Sequence, residues 1–315
     1  MAAKAWSSAL YGPLPLSDDH LQTRFLRIRR GESDTPLECT LFRSTLVGAN
    51  YEALSYTWGT DERSNLVLVN GIHVGVTKNL QAALLALRQL GKSCVVWIDA
   101  LCINQEDANE TAAQVQQMGN IYRCAHRVIV WLGVELDGSS DVFEYMRWYQ
   151  AVQVIFEKGP TMTTTCTSLS NLLKRRYWSQ VWIVQEVALG TSNHLIMCGN
   201  DRLDWPTFVS AALDSGLPED CNRLRVLQEI RAKARIPPRL RYAGNQLPGA
   251  FEIRQSYADN LFYLLNRTHN FDATDPRDKL FALLARILLM AFLHGSRIFL
   301  QNELPPCLDL RASTA

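Results

Sequence analysis

Two acidic residues stand apart from all other charge in their surroundings. Asp99 follows the apolar run Cys94-Val-Val-Trp-Ile98, precedes Ala-Leu-Cys-Ile-Asn104-Gln105, and is the only charge between Lys92 and Glu106. Glu186 is the only Asp, Glu, Lys or Arg from Tyr177 to Asn200. A carboxyl in apolar surroundings must either find a cation or take a raised pKa. The second outcome gives a group that can move a proton, or face a developing positive charge, near neutral pH. A structural reading competes at each position. Asp99 could cap the next turn while Asn104 and Gln105 satisfy loop backbone, and Glu186 could pair with Arg175 or Arg176, the cations nearest in sequence.

The elements that would position these acids can be read from periodicity. Val95-Val-Trp-Ile98 is β-branched and aromatic enough for a strand buried on both faces, and ligands in open α/β sheets bind beyond the carboxyl ends of such strands. Tyr51 to Gly59 reads as an earlier core strand ended by a turn. Its Ser55 and Tyr56 are candidates to line the same crevice, with Tyr56 and Trp58 as plain core residues the alternative. Asn70-Gly71 between two alternating runs, Leu66 to Val76, predicts a hairpin. Leu80, Ala83, Leu84, Leu87 and Leu90 predict a helix stopped by Gly91. A second helix is expected over Asp107 to Ala125, and Arg127 to Gly133 as a buried strand, so strand, helix and strand form a βαβ unit with parallel strands. Further expectations are a helix from Asp141 to Lys158, a Thr/Ser-rich loop from Thr161 to Ser170, and a helix from about Ser179. The last puts Trp182, Gln185, Glu186 and Leu189 on one face. His194 to Cys198 reads as a short strand, and helical patterns recur after Asp201 (Trp205 to Ser215, Cys221 to Arg235, Tyr257 to Asn266, Asp278 to Leu293).

Composition narrows the function classes. In 315 residues, 32 Lys plus Arg stand against 31 Asp plus Glu, a formal net charge of +1. No global field therefore points to nucleic acid or an anionic membrane. The basic cluster Arg24, Arg27, Arg29 and Arg30 reads as a solvated face. No run reaches the roughly 18 apolar residues that span a bilayer, and the N-terminus lacks the apolar core of a signal peptide. The eight cysteines include no Cys-x-x-Cys pair and suit reduced, buried thiols in a cytoplasmic protein. Neither they nor the six dispersed histidines suggest a metal site. Cys102 is a candidate nucleophile by type, but Leu101 and Ile103 around it imply a raised thiol pKa and a structural role.

Several segments in order resemble the successive motifs of the fungal heterokaryon-incompatibility (HET) domain. They are Tyr51 to Gly59; Trp97-Ile-Asp-Ala-Leu-Cys-Ile-Asn-Gln105; Gln114-Val-Gln-Gln-Met-Gly-Asn-Ile-Tyr122 leading to Val130-Trp-Leu-Gly133; and Arg176-Tyr-Trp-Ser-Gln-Val-Trp-Ile-Val-Gln-Glu186. Asp275-Pro-Arg-Asp-Lys-Leu-Phe-Ala-Leu-Leu284 is similar to a segment often found downstream. The family commonly has Glu-Arg-x-x-Gln where this chain has Glu110-Thr-Ala-Ala-Gln114, so a basic residue is missing. After Leu284 the usual continuation also gives way to a different tail, which raises the prospect of a truncated, inactive paralogue.

The resemblance implies an α/β fold: a flavodoxin-like or Toll/interleukin-1 receptor (TIR)-like parallel sheet flanked by helices. The expected organisation is a lead-in over 1–50, the HET domain over 51–200 and a largely helical region over 201–315. It implies a role in non-self recognition and incompatibility-triggered cell death. Some TIR domains cleave NAD with a glutamate in a Trp-x-x-x-Glu-like helix, and Trp182-Ile-Val-Gln-Glu186 has that form. On that likeness Glu186 and Asp99 are the candidate catalytic residues. Trp182, Ser55, Tyr56, Asn104 and Gln105 are candidate binding residues, and NAD is the candidate substrate, with no resident cofactor or metal. Loss of nicotinamide leaves an oxocarbenium-like centre that one carboxylate can stabilise. The alternative is a non-enzymatic domain that self-associates or recruits other signalling proteins.

Overall fold

A computed structural model describes residues 2–17, 22–32, 35–59, 63–89, 94–153, 166–189, 193–217, 219–235, 263–273, 275–280 and 282–283. The end of the 141–158 helix, the start of the 161–170 loop, most of the 257–266 helix and all of the tail after 284 lie outside these residues.

The chain opens with α1 (Ala2–Tyr11) and then lays down β1 (Gln22–Ile28), β2 (Glu38–Thr45) and β3 (Glu52–Tyr56). The hairpin β4 (Asn65–Val69) and β5 (Ile72–Val76) follows. Its turn places Asn70 at φ 51° and Gly71 at φ 78°, the paired left-handed geometry for which Asn-Gly is suited. Next come α2 (Lys78–Arg88), capped by the Thr77 hydroxyl accepting from Leu80 N, and β6 (Cys94–Trp97). After the short α3 (Asp99–Cys102), α4 (Ala108–Cys124) starts on Asp107, whose carboxylate accepts from the Asn109 and Glu110 amides.

The chain continues through β7 (Arg127–Trp131), α5 (Ser139–Gln153), α6 (Cys166–Leu173), a 3₁₀ turn (Arg176–Ser179) and α7 (Trp182–Leu189). It then forms β8 (His194–Cys198), β9 (Asp201–Asp204), α8 (Trp205–Leu213) and α9 (Asn222–Arg235). The α6 helix corrects the expected loop. Its Thr and Ser residues look loop-forming, but Leu169, Leu172 and Leu173 recur at i, i+3 and i+4 and are buried, and that apolar stripe fixes the helix.

The strands form one nine-stranded sheet in the order β5-β4-β2-β1-β6-β3-β7-β8-β9. It is mixed rather than parallel throughout. β6, β3, β7 and β8 run parallel to one another along the centre and β2 pairs parallel with β4, whereas β1 runs antiparallel to β2 and β6, β4 to β5 and β9 to β8. Residues 22–45, before the expected domain, thus extend the same sheet. β6 and β7 are parallel as expected but not adjacent, because β3 lies between them. The chain leaves β3, builds β6 on one side, crosses by α4 and builds β7 on the other. This reversal of strand order creates a crevice at the carboxyl end of β3.

The sheet separates two apolar clusters. One gathers Phe25, Leu54, Val96, Trp97 and Ile129, and the other Phe143, Trp178, Val184, Phe208 and Leu227. Along β7 and β8 the sides alternate, with Ile129, Trp131 and Met197 facing the first cluster and Val130, Leu132, Ile196 and Cys198 the second. Trp97 is fully buried, lies edge-on to Tyr122 with centroids 5.7 Å apart and donates to Thr23 Oγ1 at 3.1 Å. Its burial contributes on the order of 3 kcal/mol. Cys39, Cys94, Cys102, Cys166, Cys198 and Cys221 are free thiols, whereas Cys124 is disulfide-bonded, an exception to the expected reduced set. No helix of the described residues is long and apolar enough to cross a membrane.

Candidate functional site

At the carboxyl ends of β3 and β6 lies a cleft of about 600 Å³, and both isolated acids line it. Asp99 enters because β6 ends at Trp97 and the chain turns at once into α3. Its Oδ1 accepts from the Ala100 amide at 2.7 Å and its Oδ2 from Trp58 Nε1 at 2.6 Å. The acid is thus the first residue of α3, which has no side-chain cap, and it faces the cleft. Burial raises its pKa to about 6, against the opposing donations from Trp58, Ala100 and Tyr56. The backbone bends away just past Trp58 at Gly59, whose φ of 81° only glycine adopts without strain.

Glu186 reaches the cleft from α7. That helix buries Ile183, Val184 and Val187 in the second cluster, which turns Glu186 toward β3 and α4. Its residue is 6% exposed. Ser55 Oγ donates to Glu186 Oε2 in a short hydrogen bond, and Tyr177 Oη lies 2.7 Å from the same hydroxyl. Ser55 has one hydrogen, so with Glu186 ionised the tyrosine donates to the serine and the serine to the carboxylate. Tyr122 lies beside the carboxyl, and its hydroxyl donates its one hydrogen to Leu54 O at 2.9 Å. Neither Arg175 nor Arg176 pairs with Glu186. With no cation to offset it, burial raises the Glu186 pKa to about 8; the Ser55 donation opposes this and the Asp99 charge adds to it.

The other candidates divide between positions. Tyr56, Gln105 and Trp182 line the cleft, and Gln105 Nε2 donates to Asp99 O at 3.0 Å. Ser55 is fully buried and acts on Glu186 from behind rather than on the cavity. Asn104 is placed elsewhere. It lines a separate cavity between α1 and α4, where its Oδ1 accepts from Ser7 Oγ at 2.9 Å. Cys102 is fully buried and burial pushes its thiol up to about 12, which removes it as a nucleophile. Tyr56 is 6% exposed, as a core residue would be. Trp58 is 38% exposed and belongs to the cleft instead.

Four features of the site were not anticipated from the sequence. Tyr122 lies beside Glu186 and Tyr177 reaches it through Ser55, and Asp272 and Asp278 come from the C-terminal region to line the cleft. Backbone bonds hold that wall, with Val181 N donating to Asp272 O at 2.9 Å and Asp272 N to Ser179 O. The phase of α4 offered a signal for Tyr122, because the helix stripe carrying Val115 and Met118, both cleft-lining, continues to it. Thr111, which stands where the resemblance expects an arginine, also lines the cleft. Its neighbours Glu110 and Gln114 are turned to β1: Arg24 clamps Glu110 through both nitrogens at 2.7 and 2.9 Å, and Thr23 donates to Gln114 at 2.7 Å. No group of three or more His, Cys, Asp or Glu among the described residues is arranged to hold a metal ion.

Fold and site together define a mixed α/β domain with an acid-lined crevice at the reversal point of its sheet. Residues 51–186 match the family model described as heterokaryon incompatibility protein (HET). The chain is also 27% identical over 237 residues to heterokaryon incompatibility protein 6, OR allele, of Neurospora crassa, an overlap of 60% of this chain and 35% of the relative. The likeness to the HET domain thus covers residues 51–186, somewhat under half of the chain. The chain spans about a third of the length of that relative. No solved structure matches it.

Proposed function

We propose that the chain acts in fungal heterokaryon incompatibility and that its cleft cleaves the N-glycosidic bond of NAD, as in the TIR-like reading of its sequence. The observation that carries this is Glu186: a buried carboxyl with no cation partner among the described residues, on the wall of a cleft shared with Asp99. Four central parallel strands with a reversal at β3 give the crevice a doubly wound α/β setting, and six free thiols suit the cytoplasm.

The chemistry follows from charge. Nicotinamide leaves as a neutral base and needs no proton, while the ribose carbon it leaves behind becomes cationic. An ionised Glu186 stabilises that centre or orients the ribose hydroxyls, and water completes the reaction to ADP-ribose, nicotinamide and a proton. The pyridinium of NAD beside the carboxyl favours its ionised form, so binding expels the Glu186 proton. Trp182 and Tyr56 offer flat faces to the rings.

Purified chain is incubated with NAD at high protein concentration and nicotinamide release is followed. Release by the wild type and its loss in Glu186→Gln are expected; equal release by both would overturn the assignment. One observation favours a second reading. The chain Tyr177–Ser55–Glu186 ties α7 to β3, so Glu186 could serve packing in a domain that self-associates and recruits signalling partners. Cell death retained by Glu186→Gln, with concentration-dependent assembly and no turnover, is the outcome that reading predicts.

A further inference from the structure

The cleft is charged unevenly. Asp99, Glu186, Asp272 and Asp278 line it, and Arg176 is the one cation among the described lining residues. Arg176 is exposed at the start of the 3₁₀ turn, whereas Glu186 lies deep. Its neighbour Arg175 is fully engaged, donating to the carbonyls of Leu132, Val134 and Leu136 at 2.9 to 3.0 Å. Arg176 makes no ion pair with any described carboxylate, although four line the same cavity. A guanidinium is a rigid fork of donors suited to two oxygens of a phosphate. Two buried acids at depth, and at the mouth a guanidinium that no described carboxylate pairs, near the exposed Asp272 and half-buried Asp278, suit a ligand with a positive ring at one end and a phosphate at the other.

We propose that Arg176 is the phosphate anchor of this cleft, holding the pyrophosphate of the substrate while the pyridinium end lies against Asp99 and Glu186. The inference rests on the NAD reading above and adds to it a residue that selects phosphorylated over unphosphorylated pyridinium nucleosides. The anchor sits ten residues before Glu186, at the opposite end of the segment that carries both into the cleft. The wall from Asp272 to Asp278 lies outside residues 51–186, so the full chain is the object to test.

Two arms decide the proposal. In the first, nicotinamide release from NAD is compared with release from nicotinamide riboside, which has the same scissile bond and no phosphate, for wild type, Arg176→Ala and Arg176→Lys. The alanine variant should lose about 10- to 100-fold more kcat/KM on NAD than on the riboside, the worth of a charge-assisted hydrogen bond. The loss should fall in KM, with partial recovery in the lysine variant. Equal losses on both substrates overturn the anchor.

In the second arm, binding of ADP-ribose and of adenosine is measured by calorimetry. Wild type should prefer ADP-ribose, and Arg176→Ala should lose that preference. If wild type turns over neither substrate yet binds ADP-ribose through Arg176, the anchor stands and hydrolysis falls. If wild type binds ADP-ribose no better than adenosine, the anchor falls whatever the turnover.

Discussion

Two carboxyls, the half-buried Glu110 in the first turn of α4 and the buried Glu186 on α7, meet opposite fates. On the β1 side, Glu110 is clamped by the fully buried Arg24, which also donates to the Cys102 and Leu14 carbonyls. On the α7 side, Glu186 meets only hydroxyls and a second acid, and its pKa rises to about 8. The first arrangement satisfies every charge it buries and serves to fix α4 against the sheet. The second leaves a charge problem unsolved, and a ligand's positive charge can solve it. Burial alone does not mark a candidate acid; the role proposed for Glu186 rests on burial at a cavity wall without a cation among the described residues.

Breaking the satisfied side should cost most. Arg24→Ala takes the cation from the half-buried Glu110 and empties a fully buried site, and should destabilise the chain by about 3 kcal/mol, read as a lowered urea midpoint. Arg24→Ala with little change in midpoint would show the clamp to be ornamental.

On the unsatisfied side the sign reverses. The Glu186 pKa is raised from 4.5 to about 8 on folding, so its favourable contribution is complete below about pH 4.5 and is lost as pH rises through about 8. Glu186→Gln should therefore match wild type near pH 5 and exceed it near pH 9 by on the order of a few kcal/mol. Equal midpoints for the two proteins at both pH values would contradict the shift.

Smaller changes sharpen the contrast. Ser55→Ala removes a donation that lowers the Glu186 pKa, so the alkaline rise in nicotinamide release should move to higher pH. It should also cost about 1 to 3 kcal/mol for the stranded Tyr177 hydroxyl. Trp58→Phe removes the leading donation that holds Asp99 down. The acid's titration should then move above about 6, with a stability change of about 1 kcal/mol or less because Trp58 is half-exposed.

The local elements were legible where one signal dominated. Asn70-Gly71 fixed its hairpin, and the isolation of Asp99 and Glu186 in sequence survived as isolation from cations in space. Sheet order was not legible. Nothing local says that β3 inserts between β6 and β7, because pairing is decided by long-range packing, and that insertion is what brings Tyr56 and Asp99 to one crevice. Tyr122 and Tyr177 were hidden for the same reason, each being an ordinary core aromatic in its own element. Asn104 follows Asp99 by five residues, yet α3 turns it toward α1. Proximity in sequence misled there.

The central claim is that Glu186 is protonated at neutral pH in the free protein. The direct measurement is infrared difference spectroscopy of the carboxylic-acid carbonyl stretch, wild type against Glu186→Gln, across pH 6 to 10. The account predicts a protonated-acid band absent from the variant, present at pH 7 and vanishing as pH rises through about 8. A wild-type spectrum identical to the variant's at pH 6, with Glu186 already ionised, would contradict it.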